Sequence, residues 1–181
     1  MTYYARNLPH WHPETKAIFL TFRLYGSLPL DVVKKLVRLE KEPRKQFLEA
    51  ERNLDSARSG PKWLAEPAVA SLVESAVFQG QADLSFYLLE AYVIMPNHVH
   101  VLLQPRVPLP RITQGLKGVS AREANAALGR TGKPFWQDES FDHWIRDLAQ
   151  LERVRAYIER IPLKAGFAKS PEEWRWSSAH K

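Results

Sequence analysis

The 181-residue chain reads as an α+β domain: an antiparallel sheet with helices packed on one side of it. Three observations predict this. Two β-rich runs, 84–94 and 98–103, flank Met95-Pro96-Asn97 and pair as a hairpin. Apolar residues at helical spacing stand on both sides of that hairpin. Strands and helices alternate irregularly, without the strand–helix–strand rhythm of a parallel sheet.

In chain order, residues 1–15 are polar and aromatic without periodicity and read as an N-terminal arm. Lys16 to Leu24 carries Ile18, Phe19, Leu20, Thr21 and Phe22 and reads as the first strand. Pro29 opens a helix whose apolar side is Val32, Val33, Leu36 and Val37. The charged stretch Glu40 to Arg52 either continues that helix or forms a second one after Pro43. Ser59-Gly60-Pro61 breaks the chain. A helix is expected from about Pro67 to Phe78, followed by a loop at Gln79 to Asp83. After the hairpin, Pro108 and Pro110 punctuate the exit, and a helix spans about Ile112 to Leu128, ending at Gly129. Phe135 to Arg146 holds a further strand. Leu148 to Arg160 is helical and is expected to stop at Pro162. The tail, 167–181, is short and aromatic. No repeat or linker divides the chain, so 1–181 is expected to be a single domain.

Composition narrows the class. Hydrophobic content of 45% and charged content of 25% are those of a globular protein. Cysteine is absent, which excludes disulfides and thiolate metal sites and fits a cytoplasmic location. No apolar run approaches the roughly 18 residues of a membrane span, and no membrane partner is expected. The net charge of +6 favours a polyanionic partner. Arg106, Arg111, Lys117, Arg122, Arg130 and Lys133 face a single acid, Glu123, between residues 106 and 134. Such a run is either a solvated helix face or, with Phe135 and Trp136 beside it, one wall of a nucleic-acid groove.

The sharpest chemical signal is His98-Val99-His100 inside an apolar strand. Residues two apart on a strand share a face, so the two imidazoles project together while Val99 and Val101 pack behind. A pair of imidazoles is half of a divalent metal site. The plain alternative is two partly buried histidines satisfied by hydrogen bonds.

A second segment weighs against that alternative: Tyr157-Ile158-Glu159-Arg160-Ile161-Pro162-Leu163-Lys164-Ala165-Gly166. With it belong Arg6-Asn7-Leu8-Pro9-His10-Trp11, Phe19-Leu20-Thr21-Phe22-Arg23-Leu24, and Ala91-Tyr92-Val93-Ile94-Met95-Pro96-Asn97-His98-Val99-His100. Leu116-Lys117-Gly118, Phe135-Trp136-Gln137, Phe141-Asp142-His143, Ile145-Arg146-Asp147 and Trp174-Arg175-Trp176-Ser177-Ser178 complete the set. This ordered set resembles the REP-associated tyrosine transposases, a branch of the HUH single-strand DNA nucleases. The resemblance implies a ferredoxin-like or RRM-like sheet with the paired histidines on a central strand. It implies Tyr157 as the nucleophile on a late helix, and His98 and His100 as ligands of Mg²⁺ or Mn²⁺. The implied activity cleaves and rejoins single-stranded or hairpin, REP-like DNA through a 5′-phosphotyrosine and a free 3′-OH, by a monomer or a homodimer.

One position departs from the family pattern. Relatives carry a polar residue one helical turn after the tyrosine that can serve as a further ligand; here it is Ile161. Either DNA and water complete the metal shell, or another oxygen ligand substitutes, or this copy is weakened. Further DNA contacts are expected from Arg6 and His10 in the arm, Lys117, Arg122, Trp136, His143 and Arg146. For each there is a structural alternative: an ion pair with Asp142 or Asp147 for Arg146, solvent exposure for Lys117. Asn97 is expected to shape the turn, and Trp174 and Trp176 to pack the tail.

Two rivals follow from the same residues. One is a hairpin-binding protein of this fold that has lost cleavage. The other is a small-molecule phosphoesterase. A histidine-triad hydrolase would need a third histidine where Leu102 stands, and a zinc hydrolase more ligands than Gln104 supplies.

Overall fold

The computed structural model describes residues 16–180 in full, and 2–5 and 9–12 by their backbone. The arm contributes a two-stranded antiparallel ribbon, β1 (Thr2–Ala5) and β2 (Pro9–His12). The main sheet has four antiparallel strands in the order β4-β5-β3-β6, with β3 at Ile18–Arg23, β4 at Tyr87–Ile94, β5 at His98–Pro105 and β6 at Phe141–Trp144. The expected α+β sheet is present, and the His-x-His strand lies inside it between β3 and β4.

Helices cover both faces, not one. Val99, Val101 and Leu103 of β5 join Leu20, Phe22, Ile94, Val73, Val77, Ile112 and Leu116 in the main core. That core lies under α3 (Pro67–Ala82) and α4 (Leu109–Ala127). The opposite face carries Phe19, Ala91, Val93 and Leu102, packed against Ile158 and Ile161 of α5 (Leu148–Lys164) and Phe47 of α2 (Pro43–Ser56). The charged stretch is thus a separate helix, joined to α1 (Leu30–Arg38) in a hairpin with its own small core of Leu28, Val32 and Leu54.

Four local expectations shift. In β4 the pairing slips between Leu89 and Ala91. One extra residue exchanges the two faces of a strand, so Tyr87 and Leu89 before it and Tyr92 and Ile94 after it all reach the main core. Helix α3 runs four residues past Phe78. Gly80 is helical because Tyr87 needs its space: a Cβ there would stand 2.2 Å from the Tyr87 hydroxyl, which donates to the Val77 carbonyl at 2.6 Å. Helix α4 starts at Leu109, with Pro110 in its first turn instead of before it. Helix α5 continues through Pro162, which is buried with Ile158 and Ile161. Packing of that turn offsets the one backbone hydrogen bond the proline removes.

After α5 the tail returns to the sheet. Ile94 N–H donates to the Trp176 carbonyl at 2.8 Å and Ser178 N–H to the Tyr92 carbonyl at 3.0 Å, extending the sheet beyond β4. The Trp174 indole donates to the Ile94 carbonyl, and Trp176 packs on the main core, as expected of tail packing. Among the described residues no helix is long and apolar enough to cross a membrane.

Candidate metal and tyrosine site

Strand β5 sends His98 and His100 to the face covered by α2 and α5. Each ring is held by its Nδ1. Asn97 Oδ1 lies 2.7 Å from His98 Nδ1. An amide oxygen only accepts, so Nδ1 carries the proton and Nε2 keeps its lone pair. Asn97, assigned to the turn from sequence, thus also fixes a tautomer. His100 Nδ1 lies 2.7 Å from Thr21 Oγ1 on the neighbouring strand, where Thr21 is its register partner. Phe19 stacks on the His100 ring at 5.3 Å. Orientation through the second nitrogen is how proteins prepare imidazoles for metals.

The Nε2 atoms point at α2. Glu51 Oε2 stands 3.3 Å from His100 Nε2, and Asp55 Oδ1 stands 3.6 Å from His98 Nε2. Four residues apart, the two carboxylates share a helix face. The Tyr157 hydroxyl, from α5, donates to Glu51 Oε2 at 2.6 Å. The Asp147 carboxylate caps α5 by accepting from Gln150 N–H at 2.7 Å. Ile158 and Ile161 then seat the helix, which leaves Tyr157 between core and site. Lys164, two turns on, holds its ammonium 4.8 Å from the centre of the Tyr157 ring.

Burial sets the electrostatics. It pushes His98 down to about 3, with the neighbouring His100 adding to the effect, so His98 is neutral at pH 7. Burial and then Glu51 raise Asp55 to about 6. On Glu51, burial acts upward, but the two imidazoles and the Tyr157 hydroxyl outweigh it and hold the carboxyl below its ordinary value. Burial and then Glu51 push the Tyr157 phenol well above its ordinary value.

These residues fit a divalent cation. Glu51, His98 and His100 each place one ligand atom within 4.8 Å of the others. His98 Nε2, His100 Nε2, Glu51 Oε1 and Asp55 Oδ1 are all buried without a hydrogen-bond partner, which a protein interior rarely tolerates. Two imidazoles and a carboxylate form a nitrogen–oxygen donor set for a divalent cation. Both imidazoles are 0% exposed, closed off from solvent beneath α2.

Sequence reasoning brought together His98, His100 and Tyr157 but missed Glu51 and Asp55. A signal was present. Glu51 shares the helix face of Phe47 and Leu54, and an acid on an apolar stripe needs a partner. Ile161 is a core residue, 0% exposed, and the oxygen ligand near the imidazoles comes from α2 instead.

The other expected DNA contacts scatter. Trp136 is a correction: it is 6% exposed, edge-on to Phe22 at 4.8 Å, and its indole donates to Ser120 Oγ. It belongs to the main core and cannot stack on a base. Lys117 clamps a loop, donating to the Gln137 and Asp138 carbonyls at 2.6 and 2.7 Å. Arg122 is exposed on α4, on the face away from the imidazoles, 3.9 Å from Glu123. His143 pairs in register with Phe19, which puts it on the site's face of the sheet; burial and then Arg146 lower its pKa. Arg146 is exposed and bonds Gln150 Oε1 through its backbone and Nε. Arg6 lies outside the described residues, and so does the side chain of His10.

The sequence profile of the IS200-like transposases matches residues 62–161, a span that includes His98, His100 and Tyr157. Among solved structures, that of a REP-associated tyrosine transposase bound to a REP hairpin is similar at 18% identity, with a TM-score of 0.63 over 99% of this chain and 84% of that one. A protein described as a candidate transposase from Deinococcus radiodurans R1 is similar at 16% identity, with a TM-score of 0.36 over 87% of this chain and 96% of that one. A search of curated proteins finds no match. The profile covers more than half of the residues, and the chain belongs to the IS200-like transposase family.

Proposed function

We propose that this protein is a metal-dependent single-strand DNA endonuclease and strand transferase that acts on hairpin, REP-like DNA in the cytoplasm. One observation carries the reading. A phenol from α5 and two oriented imidazoles from β5 meet at a single carboxylate, Glu51 Oε2, 2.6 Å from Tyr157 and 3.3 Å from His100.

Tyr157 Oη attacks the phosphorus and forms a phosphotyrosine as the P–O3′ bond breaks, and the phenol proton, held toward Glu51 Oε2, ends on the released 3′-oxygen. The phosphodiester energy is conserved in the new bond, so the reverse attack by a 3′-OH rejoins strands without an external energy source. His98, His100 and Glu51 are the residues that would hold the divalent ion. Bound there, that ion supplies charge neutralisation at the phosphate and aligns the scissile bond. Asn97 keeps the His98 Nε2 lone pair available, and Thr21 fixes the orientation of the His100 ring. Lys164, next to the Tyr157 ring, adds positive charge where the strand must arrive. His143, which shares the site's face of the sheet with its register partner Phe19, and the exposed Arg146 are assigned to backbone phosphates in this reading.

A second reading has support of its own. The imidazoles are sealed beneath α2, so a phosphate reaches them only where α2 gives way. A protein that never opens would bind hairpins without cutting them. Labelled REP-like hairpin DNA with Mn²⁺ separates the two. A covalent protein–DNA adduct, lost with a chelator and with Tyr157→Phe, is expected. Hairpin binding without any adduct would favour the binding protein.

A further inference from the structure

The two carboxylates on α2 stand where the IS200-like profile does not reach. The profile begins at residue 62, whereas α2 spans Pro43–Ser56. A divalent ion buried beside two neutral imidazoles carries two uncompensated charges. Burying such charge is expensive unless matching anions accompany it. Glu51 supplies one negative charge and Ile161 supplies none. Among the described residues, Asp55 is the remaining acid at the site. Its Oδ1 is buried, has no hydrogen-bond partner and lies 3.6 Å from His98 Nε2. Ligand atoms sharing an ion at bonds of about 2.1 Å stand about 3 to 4.2 Å apart. The separations at Glu51–His100 and Asp55–His98 both fall in that range; Asp55 stands outside the set Glu51, His98 and His100 whose ligand atoms all lie within 4.8 Å of one another, so its carboxylate must swing inward to reach the same ion.

We propose that Asp55 joins Glu51 as a second carboxylate ligand, so that a neutral centre of two imidazoles and two carboxylates fastens the α1–α2 hairpin to the sheet. The sheet supplies one half of the centre and the hairpin the other. The hairpin is suited to be held this way. Gly26 and Gly60, both at positive φ, meet at its neck, where a Cβ on Gly60 would stand 2.4 Å from the Gly26 carbonyl oxygen. Beyond the neck it has its own core, and Phe47 packs on Phe19 and Phe141 of the sheet. Carboxylate and phosphate oxygens are both hard anionic donors of the kind such an ion would take. This assignment rests on the metal-dependent reading above, but its test needs no DNA.

The metal-free full-length protein is titrated with Mn²⁺, and two quantities are followed: the dissociation constant, and amide hydrogen exchange over 43–56. Wild type is expected to bind one Mn²⁺ and slow exchange in α2 at least tenfold. Asp55→Asn keeps the shape and removes the charge. It is expected to weaken Mn²⁺ binding at least tenfold while leaving the metal-free melting temperature equal or higher, because one of two facing carboxylates is gone. A merely structural Asp55 would do the reverse, lowering the metal-free melting temperature and leaving affinity unchanged. Asp31→Asn, on α1, is the control for loss of an acid. Unchanged Mn²⁺ affinity in Asp55→Asn, or unchanged α2 exchange in wild type on metal binding, overturns the assignment. If Mn²⁺ binds as expected and no DNA adduct ever forms, the cleavage reading fails and the metal assignment stands.

Discussion

The two faces of strand β5 are built on opposite principles. Val99, Val101 and Leu103 point into the core under α3 and α4, which is closed and apolar. Three of its polar side chains are paired there: Trp136 to Ser120, Ser120 to the Leu116 carbonyl, Tyr87 to the Val77 carbonyl. His98 and His100, one residue out of phase, point to a face of equal burial where four ligand-type atoms have no partner. Burial alone therefore does not distinguish core from site. What distinguishes them is whether the buried polar groups are satisfied from within the chain. A two-residue period lets one strand serve stability on one side and chemistry on the other.

Substitutions can break that contrast. On the α3/α4 face, Ile112→Ala removes a 0% exposed side chain from the core. It is expected to cost about 2–5 kcal/mol in chemical denaturation and to leave Mn²⁺ affinity unchanged; altered affinity would mean the two faces are coupled. On the other face, Ile161→Asn restores the polar residue of the family pattern. Because Ile161 is packed against Ile158 and Leu102, the amide lands in an apolar cluster. A loss of about 3 kcal/mol and no gain in metal affinity are expected. A gain in Mn²⁺ affinity would show that Ile161 had been weakening the site.

His100→Ala addresses the metal directly. Mn²⁺ at 100 times its dissociation constant stabilises a folded protein by about 2.7 kcal/mol, roughly 5–11 °C in melting temperature at this chain length. Wild type is expected to show that rise and His100→Ala to lose it. The rise should also shrink from pH 7 to pH 5. Burial and then Glu51 raise the Asp55 carboxyl to about 6, so toward pH 5 metal binding must first expel its proton. His98, at about 3, stays neutral across this range. A rise unchanged at pH 5 would contradict a centre built from imidazoles and carboxylates.

The sequence carried the local parts of this picture and lost the convergent ones. The strand alternation around His98 and the amphipathic helix of Tyr157 are short-range patterns, and both held. Gly80 and Pro162 were read as breaks because a glycine in a loop and a glycine beneath Tyr87 look alike along the chain. The slip at Glu90 in β4 is likewise set by its partner strand. Glu51 and Asp55 lie more than forty residues before the histidines and a hundred before the tyrosine. Only the fold of the α1–α2 hairpin over the sheet brings them together. Trp136 went astray because an aromatic beside cations suits a base-stacking platform and a core equally well.

The most direct test of the central claim is to locate the covalent bond. The protein is incubated with REP-like hairpin DNA and Mn²⁺, digested with nuclease and protease, and its peptides are sequenced by mass spectrometry. A nucleotide remnant attached through phosphate to Tyr157 is the predicted result. A remnant on any other residue, or cleaved DNA with no phosphotyrosine, would contradict the convergence of Tyr157 with His98 and His100 on one phosphate.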